Sequence, residues 1–163
     1  MLRRITFLYS RVLDLLLVLT VVIIIVPVTM QIFARFTEIL PRYIWTEELS
    51  RFLLVWMIMI GSMIGVREGT HFNVDIFPAL KGRVKAAMDI LAGLFVLAMA
   101  AVFLWWGWEF TDTAWFRISE LAELPLWTIH MAWPIAGLTW IVFQGERMWD
   151  DVQVLIHGER QLP

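Results

Sequence analysis

The side chains best suited to chemistry in this sequence lie in two short segments. The first contains Trp45, Glu47, Glu48 and Arg51, and the second contains Arg67, Glu68, Gly69, His71 and Asp75. On a helix, residues three or four apart share a face, so the arginine of the first segment can pair with either glutamate. Two interpretations stay open: an internal ion pair, or a glutamate that reaches a partner chain.

The residue types offer little for metal, haem or nucleophilic chemistry. There is no cysteine, which excludes thiolate metal sites and thiol nucleophiles. His71 and Asp75 have no second histidine nearby to complete a zinc site, and His130 has no suitably placed histidine for bis-histidine haem ligation. No serine has an assembled base and acid, and no glycine-rich phosphate loop occurs. We therefore expect neither an enzyme nor a cofactor.

The composition indicates a membrane protein. Hydrophobic residues make up 60% of the 163-residue chain and charged residues 17%, whereas a soluble domain has roughly 45–50% apolar and about 25% charged residues. A chain of this length cannot bury that excess, so many apolar side chains must face lipid. Strand-like alternation is absent, which predicts an all-α integral membrane protein. The net charge of −2 gives no indication of a nucleic-acid partner.

Four stretches approach the length of about 20 apolar residues that a spanning helix needs. The predicted spans are residues 12–36, 45–67, 86–108 and 124–145, in a single four-helix domain that covers residues 1–163. The second apolar run is short, so its span includes an N-terminal helical turn from Trp45, and Gly69 is expected to end the helix. Pro27 is tolerable within the first span, whereas Pro134 predicts a kink in the fourth.

The distribution of positive charge predicts the orientation of the chain. Nine lysines and arginines lie in the two termini and the middle loop, against four in the other two connections. Because such residues favour the cytoplasmic side, we expect both termini and the middle loop to be cytoplasmic. Residues 118–126 and 151–157 mix apolar and charged side chains and are predicted as short interfacial helices. The first apolar run is too long for a signal peptide, so we expect it to remain as a span.

The sequence shows surfaces for association more clearly than a path for a solute. Gly61 and Gly65 form a small-xxx-small pair that lets another helix approach closely. The ten tryptophans either anchor helices at the headgroups or dock another membrane protein. Asp14 lies near the membrane interface, where simple hydration is the ordinary interpretation and a proton-relay or substrate role is the alternative. Polar groups near the midplane, which a free-standing transporter uses to bind its solute, are not evident.

The two motif segments resemble a known family. Gln31 and Arg35 at the end of the first span, W-x-E-E-x-x-R from Trp45, and R-E-G-x-H-x-x-V-D from Arg67 resemble the small permease (DctQ-like) subunit of tripartite ATP-independent periplasmic (TRAP) transporters. Pro125, Trp127, Pro134 and Gly137 continue the likeness, which covers nearly the whole chain.

The resemblance implies a multi-pass protein of the bacterial inner membrane that acts as a scaffold for a much larger, elevator-type permease subunit. It also implies sodium-coupled import of an organic acid, delivered by a periplasmic solute-binding protein that docks transiently. The candidate partner-interface residues are Gln31, Arg35, Trp45, Glu47, Glu48, Arg51, Arg67, Glu68, His71 and Asp75. The alternative is an autonomous tetraspan protein, such as a small multidrug-type exporter or a membrane enzyme.

Overall fold

The computed structural model describes residues 2–37, 41, 43–69 and 83–157. The helices are α1 (Leu2–Phe36), α2 (Trp45–Glu68), α3 (Arg83–Thr113), α4 (Trp127–His130) and α5 (Ala132–His157). Within these described ranges, the only pairing of the β type is an isolated bridge between Ile118 and Pro125. The prediction of an all-helical chain is confirmed for this part of the sequence.

Three of the described helices, α1, α2 and α3, are long and apolar enough to cross a membrane. The 24 residues of α2 extend about 36 Å, which exceeds the roughly 30 Å of the hydrocarbon layer. Only 11% of the apolar window of α1 and 17% of that of α3 is buried within the chain. Most of their apolar side chains therefore face outward, as expected for a multi-pass helical protein embedded in a membrane.

The fourth apolar stretch differs from its predicted form. Helix α4 ends at His130 and α5 begins at Ala132, so the predicted span at residues 124–145 is interrupted at Met131. Pro134 has no N–H to donate to the His130 carbonyl, and it lies in the first turn of α5, where a proline is tolerated. The proline thus coincides with a new helix start rather than a kink within a helix. Helix α5 is not among the three apolar spans, because charged residues follow Gly145.

The predicted interfacial helix at residues 118–126 is wrong. This stretch is a turn-rich loop, closed by backbone hydrogen bonds from Ser119 N to Leu124 O (2.8 Å) and from Leu126 N to Arg117 O (2.9 Å). Glu123 has a φ of 52°, in the left-handed region, which a continuous helix does not permit. Residues 151–157 are helical, but they continue α5 instead of forming a separate element. We call residues 114–126 the α3–α4 loop.

Helix α1 packs on α2, and α2 packs on α5. The buried positions of α1 recur at intervals of three, four or seven residues, at Thr6, Ser10, Leu13, Thr20 and Pro27. The hydroxyls of Ser10 and Thr20 donate to carbonyls of their own helix, at 2.8 Å and 2.7 Å, so the polar members of this stripe are satisfied. The helix continues through Pro27 as predicted. The apolar core lies where α1, α2 and α5 meet, around Leu13, Met63 and Phe143.

Helices α3 and α5 approach closely through small residues. On α3, the buried residues Gly93, Ala100 and Gly107 recur at intervals of seven. A Cβ added to Gly137 of α5 would lie 2.7 Å from the Ala100 carbonyl oxygen, and one added to Gly107 would lie 2.8 Å from the Cβ of Trp133. Backbones this close leave no space for larger side chains, as is typical of membrane helix pairs with small residues at the interface.

Side-chain contacts show which helix ends meet. At the end where α1 begins, Arg3 bonds to Asp150 of α5, and Arg83 of α3 donates to the Ile156 carbonyl at 3.2 Å. At the opposite end, Gln31 of α1 bonds to the start of α2. We call these the amino end and the loop end. The helices α1, α2, α3 and α5 therefore alternate in direction, which places the two described chain ends together.

Candidate functional site

Gln31 joins the end of α1 to the start of α2. Its Nε2 donates to the Thr46 carbonyl and to the Ser50 hydroxyl, each at 2.8 Å. The Ser50 hydroxyl in turn donates to the same carbonyl at 2.8 Å. A half-buried amide between membrane helices needs such partners, because apolar surroundings offer none. The structure therefore places Gln31, a predicted interface residue, in a contact within the chain that positions the loop ends of α1 and α2.

Glu48 holds the α3–α4 loop against α2. Its Oε2 accepts backbone hydrogen bonds from Leu121 N at 3.0 Å and from Ala122 N at 2.7 Å. A carboxylate that accepts two amide hydrogens forms charge-assisted hydrogen bonds, which are stronger than neutral ones. Trp56 adds a second attachment, since its Nε1 donates to the Thr128 carbonyl of α4 at 3.0 Å. Glu48 thus contacts a distant segment of its own chain rather than Arg51.

The α3–α4 loop presents apolar side chains at its surface. Phe116 is 93% exposed and Ile118 is 65% exposed. The loop also stacks Trp115 on Trp127 with ring centroids 5.2 Å apart. Since the loop backbone is held by its own hydrogen bonds and by Glu48, these exposed side chains have a defined position, which makes the loop a candidate docking surface.

The other residues of the first motif face outward. Glu47 and Arg51 form the predicted ion pair at 3.6 Å, and both side chains are about two-thirds exposed. Trp45 is exposed and lies against Tyr43, with ring centroids 6.2 Å apart. Arg35 is exposed and makes no hydrogen bond or ion pair with any described residue. These four predicted interface residues therefore remain accessible at the loop end.

A polar cleft separates the end of α1 from the start of α2. Its volume is about 710 Å³, and its walls include Gln31, Arg35, Tyr43, Thr46 and Glu47. Both charge signs are present in these walls, together with aromatic and backbone surface. The cleft suits a polar side chain or short segment of another protein better than a lipid tail.

The described part of the second motif, Arg67 to Gly69, lies at the amino end. The guanidinium of Arg67 lies over the Phe7 ring at 5.5 Å and near the Phe143 ring at 5.7 Å. Glu68 is exposed. Gly69 ends α2 as predicted, with a φ of 69° and an N–H that donates to the Gly65 carbonyl. His71 and Asp75 lie outside the described residues.

The described residues contain no group of three or more His, Asp or Glu side chains arranged to hold a metal ion.

Of the predicted small-xxx-small pair, Gly65 is buried, whereas a Cβ on Gly61 would meet nothing within 4 Å. Gly61 therefore leaves a shallow opening on the surface of α2.

The matched family model is described as Tripartite ATP-independent periplasmic transporters, DctQ component, and it covers residues 24–154. Both motif segments and the whole α3–α4 loop fall within this range. The chain belongs to the DctQ component family of TRAP transporters. The expected resemblance is thereby confirmed, and the family consists of transporter components rather than enzymes.

Known relatives agree with this membership. The sialic acid TRAP transporter small permease protein SiaQ of Vibrio cholerae is 22% identical over 115 residues, 69% of this chain and 66% of that protein. The C4-dicarboxylate TRAP transporter small permease protein DctQ of the same organism is 24% identical over 98 residues, 53% of this chain and 42% of that protein. The isethionate TRAP transporter permease protein DctMQ of Oleidesulfovibrio alaskensis is 24% identical over 96 residues, 57% of this chain and 15% of that protein.

Some residues that shape this DctQ-family chain were not predicted from sequence. Trp56 was grouped with the other tryptophans as an anchor or docking residue, yet it bonds to α4. Arg147 was one of the nine positively charged residues used to predict the orientation of the chain, yet its guanidinium occupies the space that a side chain at Gly69 would need. The seven-residue spacing of Gly93, Ala100 and Gly107 on α3 is a sequence signal that could have predicted the close helix packing.

Proposed function

We propose that the chain is the small, four-span subunit of a sodium-coupled TRAP importer for an organic acid, in the bacterial inner membrane. In this role it is a scaffold for the large, elevator-type permease subunit and helps to dock the periplasmic solute-binding protein. The observation that carries the proposal is the combination of family membership with charge-free helix centres: residues 15–34, 52–66 and 90–108 contain no charged side chain. Such helices offer surfaces for association and carry no charged group at their centres that could bind an ionic solute.

The fourth span in this proposal consists of α4 and the apolar half of α5. Helix α5 packs between α2 and α3, and its charged half contacts the amino end. A helix that joins the two ends of the bundle must cross the same thickness of membrane as the neighbouring helices. The positive charges of the amino end favour a cytoplasmic location for both termini. The four helices then form one membrane domain over residues 1–163.

The large permease subunit is the proposed partner for the outward apolar surfaces. Val18, Val22 and Ile25 of α1 are each more than half exposed, and Gly61 leaves α2 open to close approach. The match to only 15% of the DctMQ permease protein supports this partner, because in that relative a similar segment is part of a much longer permease polypeptide. The remaining apolar surface contacts membrane lipid.

The loop end is the proposed docking region for the periplasmic binding protein. It combines the exposed Phe116 with the polar cleft and with Arg35, Trp45 and Arg51. In the proposed orientation this end faces the periplasm. Glu48 contributes indirectly by holding the loop, whereas Glu47 remains at the surface. Arg67 and Glu68 lie at the opposite, amino end. Together with His71 and Asp75 they are proposed to contribute to contact with the large subunit.

An organic acid is the proposed solute class. The printed names of the three relatives refer to sialic acid, a C4-dicarboxylate and isethionate, all of which are organic acids. These names differ in the solute, so the sequence similarity supports the class and no single compound.

Two measurements test the proposal. The tagged chain is co-expressed with the large subunit of the same transporter and extracted in mild detergent, and the large subunit is expected to copurify. Proteoliposomes are then loaded with the chain alone, or with the large subunit and binding protein as well, and uptake of labelled organic acids is followed under a sodium gradient.

Uptake is expected only with all components and only with inward sodium. A folded, helical chain that retains no large subunit would refute the scaffold role. Saturable uptake by the chain alone would instead favour the autonomous tetraspan protein. At the loop end, Trp45→Ala is expected to weaken productive docking of the binding protein without loss of the large subunit, with Trp149→Ala at the amino end as the matched control.

A further inference from the structure

Three arginines from three helices gather at the amino end. The Cζ of Arg11 on α1 lies 5.3 Å from the centroid of the Phe7 ring, and the Cζ of Arg67 on α2 lies 5.5 Å from the same centroid. Arg67 is also 5.7 Å from the Phe143 ring of α5. Two guanidiniums therefore share one aromatic ring, which provides cation–π attraction to each.

Arg147 brings a third guanidinium to this place. It follows Phe143 by four residues on α5, so both side chains lie on the same helix face. Its guanidinium packs directly against Gly69, two residues beyond Arg67. We call Arg11, Arg67 and Arg147 the arginine cluster.

The arginine cluster has no anionic partner among the described residues. Among the described residues, the ion pairs are Arg3 with Asp150 at the amino end and Arg51 with Glu47 at the loop end. Glu146, next to Arg147 in sequence, accepts a hydrogen bond from the Thr6 hydroxyl at 3.2 Å. No hydrogen bond from the cluster arginines to a described residue is found either, although each guanidinium carries five N–H donors.

Like charges that gather at one place repel each other, and partial burial of Arg67 and Arg147 reduces the screening of their charges by water. An anion between the guanidiniums would offset this repulsion and accept hydrogen bonds from their N–H groups. Phosphate fits best, because its oxygens match the fork of a guanidinium in a bidentate arrangement.

The surroundings of the cluster indicate where the phosphate comes from. Ile5, Leu8 and Val12 on the same stretch of α1 are 62%, 67% and 46% exposed. Exposed apolar side chains beside arginines at a membrane surface contact acyl chains while the guanidiniums reach the headgroup. Anionic lipids are concentrated in the cytoplasmic leaflet, where the proposed orientation puts this end.

We propose that the arginine cluster binds the headgroup phosphate of an anionic phospholipid. The proposal rests on the membrane orientation given under the proposed function. The bound lipid neutralises the three guanidiniums and joins α1, α2 and α5 at this end.

The test uses the full-length chain alone, purified in detergent, so its outcome is independent of copurification with the large subunit. Dioleoylphosphatidylglycerol and dioleoylphosphatidylcholine are added at equal concentration, and the bound fraction of each is measured by native mass spectrometry. The chain is expected to prefer phosphatidylglycerol. Arg67→Gln and Arg147→Gln should each reduce that preference about fivefold, since one arginine near an anionic surface contributes about that factor.

Two controls separate the cluster from general positive charge and from misfolding. Arg51→Gln at the loop end removes one positive charge without touching the cluster and is expected to leave the preference unchanged. Arg11→Gln changes an exposed member of the cluster, so it is expected to fold normally and still lower the preference. Helicity by circular dichroism verifies each variant.

Several results would overturn the proposal. These are equal binding of the two lipids, an unchanged preference in the Arg67, Arg147 and Arg11 variants, or an equal loss in the Arg51 variant. Displacement of the lipid by millimolar inorganic phosphate would show a site for the free ion instead. Loss of the large subunit from the Arg67 variant, with lipid preference unchanged, would assign the cluster to a protein partner.

Discussion

The close crossing of α3 and α5 makes a sharp prediction for Gly137. A Cβ at this position would lie 2.7 Å from both the Ala100 carbonyl oxygen and the Leu104 amide nitrogen, and 3.1 Å from the Cβ of Phe103. Two of these neighbours are backbone atoms of α3, which no side-chain rotation can move. Gly137→Ala therefore requires the two helices to separate.

The expected magnitude follows from two opposing effects. Overpacking of a well-packed interface costs about 1–3 kcal/mol, whereas replacing a helical glycine by alanine gains about 0.5–1 kcal/mol from backbone entropy. The net effect on the free energy of unfolding is a loss of about 0–2.5 kcal/mol. Gly145→Ala on the same helix is the matched control, because a Cβ there would meet nothing within 4 Å. Only the favourable entropy change applies to it, so it should be neutral or stabilising.

Equilibrium unfolding of the purified chain in mixed detergent and SDS micelles, followed by circular dichroism, measures both variants against the parent. Gly137→Ala should unfold at a lower SDS fraction and Gly145→Ala at the same or a higher one. If Gly137→Ala were as stable as Gly145→Ala, the close crossing derived from the small residues would be incorrect.

Two further predictions concern the loop end. Glu48→Ala should speed amide hydrogen exchange in the α3–α4 loop, because two backbone N–H groups lose their acceptor. Glu47→Ala is the control and should leave the exchange unchanged, since it removes only an exposed ion pair. Equal exchange in both variants would contradict the assigned role of Glu48. Trp56→Phe should lower the free energy of unfolding by about 0.5–1.5 kcal/mol through loss of the hydrogen bond to the Thr128 carbonyl, measured by the same SDS titration. Trp149→Phe is its control, since that side chain is 65% exposed, and an equal effect of both changes would show that the hydrogen bond contributes nothing.

Local signals in the sequence predicted several features correctly. Gly69 ends α2 because a left-handed residue is needed there and glycine adopts it without strain. The helical turn from Trp45 and the passage of α1 through Pro27 were also predicted. The Glu47 and Arg51 pair follows from their spacing alone. Each of these depends on neighbours within about one or two helical turns.

Predictions failed where a segment's conformation depended on distant contacts. Residues 118–126 have a composition that suits an interfacial helix, but Glu48 binds two loop amides from 73 and 74 positions away in the chain. The two glutamates of the first motif are equivalent by sequence, and only the packing of the loop distinguishes them. Helix α1 extends beyond the predicted membrane span to Leu2, and Arg3 in this extension bonds to Asp150 of α5, a contact that the sequence did not predict.

The sequence by itself determined that the chain is helical, that it lies in a membrane and that its motifs fall at helix ends, because hydropathy and periodicity are local properties. Only the tertiary structure decided which carboxylate holds the loop, how closely α3 and α5 approach and which arginines gather at the amino end. Those outcomes depend on distances between residues far apart in the chain, and such distances exist only after the helices pack.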